Sequence, residues 1–208
     1  MSGNPVSLAN YVADLRHTVA LAGMNFDVWW TYKQRRDRAR FVDVLNDYPL
    51  FFQTSLHAHF VAMIAALYRL YETRTGTFNL PQLLRRIEKE KAIKARPLAA
   101  IRSRLRAAKS AWVKVSVLRN NAFGHRANNQ SIADVFGVAR ITPNELRGLI
   151  RRSKEIVNAI SVELDGSTHA FNLGAQRDTR RLLSDLKRFY ALRSNNALKG
   201  RRAKRARP

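Results

Sequence analysis

Apolar residues recur every three or four positions along most of this chain, and that spacing restricts the possible folds more than any other feature. Residues three and four apart lie on one face of an α-helix, whereas a half-buried β-strand needs an apolar residue at every second position. No segment of useful length alternates with a period of two. The sequence therefore predicts an all-α fold.

Helix starts can be placed from residues that favour the first turn. Pro49 opens the third predicted helix, Asn79 is a suitable N-cap before Leu80, and Thr142 with Glu145 forms a capping-box pattern. The Thr-rich stretch around Gly76 predicts the end of the third helix. In chain order the predicted helices cover residues 8–22, 26–45, 49 to before 76, a short basic segment from 80, 98–115, 142–164 and 176–190.

The charge of the chain points to an anionic partner. Lys and Arg outnumber Asp and Glu by 38 to 15, which gives a formal net charge of +23. Residues 191–208 hold seven of these cations, no acid and almost no apolar surface, so we expect a flexible, disordered basic tail. Residues 1–190 still carry 31 minus 15, or +16, and are predicted to form one helical domain. Because so large an excess opposes compaction, a polyanionic partner is expected.

Several functional classes are disfavoured by what the sequence lacks. Without cysteine the chain cannot form disulfides or thiolate metal sites, and its five histidines show no metal-ligand spacing. Acids are too few for a hydrolase built on paired carboxylates or for a two-metal nuclease. The sequence also contains no Walker phosphate loop and no Gly-rich dinucleotide motif, so we predict no metal site and no cofactor.

Membrane insertion and export are not expected. The longest strongly apolar run, residues 60–68, is far shorter than a membrane span. The N-terminal stretch lacks the basic-then-apolar layout of a signal peptide. The predicted location is therefore cytoplasmic, with no membrane partner.

One predicted helix has an apolar seam that leads to a charged residue. Its members alternate steps of three and four: Leu98, Ile101, Leu105, Ala108, Trp112 and Val115. The next step of four reaches Arg119, which would then point into the core or into a cleft. Because Arg is rarely buried without a partner or a function, Arg119 is a candidate functional residue. The alternative is that the helix ends before Arg119, at the polar pair Asn120-Asn121.

The segment Arg119-Asn120-Asn121-Ala122-Phe123-Gly124-His125 carries the residues best suited to chemistry. A histidine can take the proton from a ribose 2′-hydroxyl or give one to the leaving 5′-oxygen. An arginine can hold the phosphate through two parallel hydrogen bonds and stabilise the charge of the transition state. The spacing alone is weak, because with 28 arginines about one or two of the five histidines match it by chance.

The context of this pair is more specific. Residues 112–120, followed by His125, resemble the signature of HEPN domains, which are helical nucleic-acid-associated domains with an Arg, four to six residues and then a His. The polar residue after the Arg is typically Asn, Asp or His in that signature, and here it is Asn120. Over roughly residues 10–165 the chain is similar to the AbiU-like group, which is linked to abortive phage infection. The similar segments are WWTYK at 29–33, YPLFF at 48–52, RLY at 69–71, ADVF at 133–136 and ITPNE at 141–145.

The resemblance implies an antiparallel helical bundle that pairs as a homodimer, with the two Arg/His motifs meeting in one cleft. Six residues apart on an unbroken α-helix, Arg119 and His125 would lie about 240° apart around the axis. Either the helix breaks near Gly124, or each residue works with its counterpart from a second chain. Some toxins of this superfamily carry a Tyr two residues after the His that a partner transferase modifies, and Ala127 at that position argues against such control.

The predicted function is a metal-independent endoribonuclease, a toxin or phage-defence effector with an antitoxin protein as a further partner. The predicted catalytic residues are Arg119, Asn120 and His125. The residues predicted to contact RNA are Lys114, Asn121 and Arg126. One alternative is a non-catalytic RNA- or nucleotide-binding HEPN module, since many such domains are thought to have lost activity. Another, a basic DNA-architectural protein, depends on charge alone.

Overall fold

The computed structural model describes residues 6–124, 137 and 139–205 of the chain, and these form α-helices, one π-helical segment and no β-strand. The predicted all-α fold is confirmed. In chain order the helices are α1 (Leu8–Lys33), α2 (Arg35–Asp47), α3 (Pro49–Tyr71), α4 (Leu80–Lys89), α5 (Ala95–Ala107), α6 (Lys109–Leu118), α7 (Pro143–Asp165) and α8 (Ala175–Arg205). The π-helical segment, Arg119–Gly124, follows α6 directly.

The chain divides into two compact units. Unit 1 consists of Met1–Phe26 and Phe60–Leu173, and unit 2 consists of Asp27–His59 and Gly174–Pro208. The division falls inside α1 and α3, so each unit contains parts of these two helices together with other helices. The prediction that residues 1–190 fold as one domain stays a prediction.

The core of unit 1 is built from apolar faces of α4 to α7 and from the parts of α1 and α3 that belong to it. α5 packs against α4, α6 and α7, and α6 also packs against α7. Burying one large aliphatic side chain stabilises a fold by about 1.5–3 kcal/mol. Side chains with no solvent exposure include Leu15, Val19, Met63, Leu67, Leu70, Leu80, Ile87, Val115, Leu118, Leu149, Ile156 and Ile160.

Unit 2 has a smaller core in which aromatic side chains predominate. α2 packs against α8. An ion pair joins these two helices, because Arg180 Nε donates to the buried carboxylate of Asp37 at 2.8 Å. The buried apolar cluster consists of Tyr32, Phe41, Val44, Phe52 and Leu183.

The boundary predicted between the first two helices is wrong. α1 continues without a break to Lys33, through the gap that the sequence predicted between residues 22 and 26. Gly23 lies there on a packed side of the helix, since a Cβ built on it would be 3.6 Å from the Lys154 side chain. The break comes at Gln34, whose backbone is extended and whose side-chain amide donates to Asp37 in the first turn of α2. A polar contact sets this boundary, and apolar spacing does not reveal it.

The helix predicted over residues 98–115 is in fact two helices. α5 ends at Ala107 and α6 begins at Lys109, with the fully buried Ala108 between them. The amide of Ala108 donates to the carbonyl of Leu105, a tighter turn than an α-helix makes. The carbonyl of Ala107 accepts a hydrogen bond of 2.8 Å from Arg152 on α7. The apolar pattern conceals the break because the seam keeps its spacing across it.

Two predicted helix starts are confirmed. The side chain of Asn79 accepts a hydrogen bond of 2.8 Å from the amide of Gln82, which caps α4. Thr142 and Glu145 form a reciprocal capping box at the start of α7: each side chain accepts from the other's backbone amide. α7 is therefore anchored at its first turn by polar contacts that the sequence displays.

The last helix is longer than the sequence predicted. α8 continues to Arg205, past the end expected at Tyr190. Ala, Leu, Lys and Arg are frequent in this stretch, and all four favour helix. That residues 191–208 are flexible in the free protein stays a prediction.

α3 is long and apolar enough to cross a membrane by length and composition, with a mean hydropathy of 1.5 in a window that is 28% buried. Core helices of other proteins meet the same criteria. In unit 1, Tyr71 Oη lies 2.8 Å from the buried hydroxyl of Ser153 on α7. The fully buried residues of α3 are Met63, Ile64, Leu67 and Leu70. These contacts make residues 60–71 of α3 part of the core of unit 1.

Candidate functional site

Arg119 lies at the end of the apolar seam, where α6 passes into the π-helical segment. Its side chain is half-buried, and its guanidinium carbon lies 4.7 Å from the centre of the Tyr68 ring on α3. A cation over an aromatic face is attracted by about 0.5–2 kcal/mol, and by more as water is excluded. Arg119 therefore has the kind of partner that a charge at a seam position requires.

Trp112 contacts the same tyrosine. The rings of Trp112 and Tyr68 are stacked, with centroids 6.4 Å apart and planes 28° from parallel. Trp112 precedes Arg119 by about two helical turns, so both side chains project from one face of the helix. Within the described part of the chain, the buried indole nitrogen of Trp112 has no hydrogen-bond partner. Tyr68 thus contacts both the seam and the charged residue that ends it.

The backbone from Arg119 to Gly124 is π-helical, with hydrogen bonds between residues five apart instead of four. The sequence left two possibilities open: Arg119 continues the buried seam, or the helix ends before it. Each is met in part. The α-helix does end at Leu118, but the backbone stays helical and Arg119 is held against Tyr68. A π-helix turns by about 80° per residue, so residues six apart on it still lie on different faces, as they do on an α-helix.

Asn120 is hydrogen-bonded to Arg119 itself. Its side-chain oxygen accepts a hydrogen bond of 3.0 Å from the guanidinium, and its side-chain nitrogen lies 3.5 Å from the hydroxyl of Ser116. Asn120 and Asn121 are both half-buried. Tyr68 and Asn120 together fix the guanidinium of Arg119.

His125 and Arg126 lie outside the described residues, as does the segment 133–136 that contributed to the family resemblance. The described part of the predicted motif therefore contains Arg119, Asn120 and Asn121. The pairing of Arg119 with His125, and contact of Asn121 and Arg126 with RNA, stay predictions.

Lys114, which was predicted to contact RNA, has a protein partner. Its ammonium lies 2.5 Å from a carboxylate oxygen of Glu145 and 3.2 Å from the backbone oxygen of Arg140. The Lys114 hydrogen bond, followed by that from the Thr142 amide, holds the pKa of Glu145 below its ordinary value. Lys114 thus connects α6 to the capping box of α7, and its contact with RNA stays a prediction.

The described histidines are His17, His57, His59 and His169. His169 accepts a hydrogen bond of 2.9 Å from Arg16, and burial lowers the pKa of His59. Among the described residues, no group of three or more His, Cys, Asp or Glu side chains could hold a metal ion.

Tyr68 is the residue of this site that sequence analysis missed. It belongs to the apolar run of α3 and follows the fully buried Leu67, so the spacing does not distinguish it from a core aromatic. Its contact with Arg119 joins distant parts of the chain, which no local pattern reports. The one available signal is indirect: a half-buried arginine needs a partner, and an aromatic face is among the few that suit it.

Comparison with known proteins adds one finding. The sequence profile of the HEPN_AbiU2 family, described as AbiU2, matches residues 6–184. This match spans α1 to α7, the π-helical segment and the first part of α8, and it confirms the AbiU-like resemblance. No curated protein and no solved structure matches the chain.

We predict that Glu145→Gln lowers the free energy of unfolding at neutral pH by about 0.5–1 kcal/mol, the usual range for a partly exposed ion pair. Glutamine keeps an oxygen for the capping box but loses the attraction of the Lys114 ammonium. Because the folded-state pKa of Glu145 is lowered, its charge contributes above the ordinary pKa of about 4.5 and loses this contribution as pH falls through the folded-state pKa. Urea unfolding of both proteins at neutral and acidic pH measures the difference, which should shrink in acid.

Glu155→Gln on the same helix serves as the matched control. Glu155 forms a longer and more exposed pair with Arg151, at 3.5 Å, so its loss should change the unfolding free energy by less than about 0.5 kcal/mol. A Glu145→Gln effect of the same size at neutral and acidic pH would show that the Lys114 ion pair does not cause it.

Proposed function

The chain belongs to the HEPN_AbiU2 family, an abortive-infection family of HEPN domains, and we propose that it is a metal-independent endoribonuclease. The observation that carries the proposal is the placement of Arg119, held by the Tyr68 ring at 4.7 Å and by Asn120 at 3.0 Å. A guanidinium has five N–H donors. In the described residues only Asn120 accepts one of them, so donors remain for a phosphate group.

In the proposed reaction His125 acts as the general base and takes the proton of a ribose 2′-hydroxyl, whose oxygen attacks the adjacent phosphorus. The bond from phosphorus to the 5′-oxygen breaks, and that oxygen takes up a proton from water or from the protonated His125. The products are a 2′,3′-cyclic phosphate and a 5′-hydroxyl. Arg119 binds the phosphate oxygens and stabilises the charge that grows on them. Asn120 is a positioning residue, because it acts through Arg119.

The family also suggests the setting of this reaction. In this proposal the protein is a toxin or phage-defence effector that cleaves RNA in the cytoplasm, and an antitoxin protein restrains it. The net charge of +23 supports a polyanionic substrate, because the field of so many cations attracts nucleic acid.

We predict that His125→Ala lowers the cleavage rate by about 10²–10⁴, the usual contribution of general acid–base catalysis. Arg119→Lys should also be strongly impaired, since lysine keeps the charge but loses the two-pronged contact. Cleavage should continue in EDTA and leave cyclic phosphate and 5′-hydroxyl ends, which mapping of RNA ends detects. DNA of the same sequence should resist, because it lacks the internal nucleophile.

Loss of cleavage in EDTA, or full activity of the His125→Ala protein, would contradict this mechanism. RNA binding without cleavage by the unmodified chain would favour the non-catalytic module instead. Arg119→Ala separates catalysis from stability. If Arg119 only stabilised the end of α6, this variant would melt at a lower temperature and keep its activity per folded molecule.

A second prediction concerns Tyr68. Tyr68→Leu removes the ring under the guanidinium and should lower kcat about tenfold, the equivalent of roughly 1.4 kcal/mol of lost positioning. Tyr68→Phe keeps the ring and should retain nearly full kcat. Single-turnover cleavage, compared at equal folded fraction, separates kcat from KM. Equal activity of the Leu and Phe variants would exclude a positioning role for the ring.

The third prediction concerns assembly. If Arg119 of one chain works with His125 of another, a mixture of Arg119→Ala and His125→Ala chains contains dimers with one intact pair. Random mixing makes half of the dimers mixed, so about a quarter of the normal activity should return. Light scattering should report a dimer at micromolar concentration. A fully active monomer, or no recovery on mixing, would rule out the shared site.

A further inference from the structure

A basic groove lies between α4 and α5 in unit 1, apart from the Arg119 site. It encloses about 620 Å³ and is lined by residues from the end of α4, from the connection and from α5. Its floor is apolar and includes Ile93 and Leu98, both buried. The charged residues that line it are Glu88, Lys91, Lys94, Arg102 and Arg106.

The charges in this groove are not balanced. Glu88 accepts two hydrogen bonds from Arg102, at 2.8 and 2.6 Å, and this contact holds the pKa of Glu88 below its ordinary value. The charges of Glu88 and Arg102 therefore cancel each other. Lys91, Lys94 and Arg106 have no carboxylate partner among the described residues. Three exposed cations therefore surround one groove without a counter-charge from the described protein.

The groove is elongated, which bears on the shape of its ligand. Lys94 at the N-cap of α5 and Leu98, Arg102 and Arg106 on the helix follow one another at intervals of four, and all four line the groove. From the first to the last, twelve residues of helix span about 18 Å. A single free phosphate occupies only a small part of such a row, whereas a chain of phosphates can follow it.

The backbone at the groove also favours a bound anion. Lys94 is the N-cap of α5, makes no side-chain capping bond, and is followed by a first turn without an acid. The N-terminal end of a helix is the positive end of its dipole, so cations there repel it and an anion is favoured. Lys91 has a φ of 52°, which lies in the left-handed region where glycine is usual. A lysine occupies this position instead, and its side chain lines the groove.

We propose that this groove binds the phosphodiester backbone of an RNA strand, at Lys91, Lys94 and Arg106. This inference rests on the proposed ribonuclease function and adds a second RNA contact, separate from the cleavage site. The groove contacts phosphates without reading bases, because its polar side chains other than the paired Glu88 are cationic and its apolar lining is aliphatic.

The test measures binding of a fluorescent 2′-O-methyl RNA oligonucleotide, which lacks the 2′-hydroxyl nucleophile and therefore binds without being cleaved. The groove variant is Lys91→Gln, Lys94→Gln and Arg106→Gln together. The control variant is Arg85→Gln, Lys89→Gln and Arg104→Gln, which removes three exposed cations from the same two helices outside the groove. The net charge changes equally in both.

We expect the groove variant to bind at least about tenfold more weakly, and its slope of log K against log salt to fall by about 2, because each phosphate contact contributes about 0.7. The control should lose less than about threefold. Equal losses in both variants, or no loss in either, would overturn the proposal. Displacement of the oligonucleotide by low millimolar inorganic phosphate would overturn it too, by assigning the groove to a small ligand. If the triple variant does not fold, Arg106→Gln against Arg104→Gln gives the same comparison with one charge.

Cleavage of unmodified RNA distinguishes this inference from the proposed function. A chain that binds through the groove and cuts no RNA refutes the ribonuclease proposal alone. A chain that cuts RNA while both triple variants bind the oligonucleotide equally refutes the groove alone.

Discussion

Burial of one apolar seam determines where the candidate site lies. The seam runs along α5 and α6 and is fully buried at Ala108 and Val115, against α7 and the other helices of unit 1. Once these side chains are removed from water, the helical rotation fixes the direction of every other residue on α6. Arg119 is the next residue after this seam, so packing of the core brings a cation to Tyr68 without any dedicated loop.

Acidic residues are scarce, and the structure uses several of them to connect helices. Asp14 pairs with Arg69 of α3, Glu88 with Arg102, and Glu145 with Lys114. With 15 acids against 38 basic residues, most cations must remain without a carboxylate. A chain of this composition is stabilised by salt or by a bound polyanion, because either one screens the repulsion among its cations. The charge that would attract a polyanion is thus the same charge that opposes folding of the chain.

The sequence predicted the helices better than the breaks between them, and the difference has a physical cause. Apolar spacing reports which residues face the core, and it located the buried positions of α3, α5, α6 and α7. The break at Gln34 depends on a contact with Asp37, and the break at Ala108 on a contact of Arg152 with the preceding carbonyl. The spacing of apolar residues does not reveal such polar contacts. Arg119 was predictable because its position interrupts an apolar series. Tyr68 and the Glu145 partner of Lys114 were not, because they come from other helices.

The π-helical segment covers most of the predicted Arg/His motif. Arg119 begins it and Gly124 ends it, so the segment spans all of the chain between Arg119 and His125. An α-helix there would fix the two residues on different faces, and the motif could then work only between chains or across a break. A π-helix does not remove that constraint, because residues six apart on its wider turns still lie on different faces. Such turns cost stability and persist where the surrounding structure holds them. Tyr68 and Asn120 contact Arg119 at the start of the segment, so the surrounding structure supports the π-helical backbone where it begins.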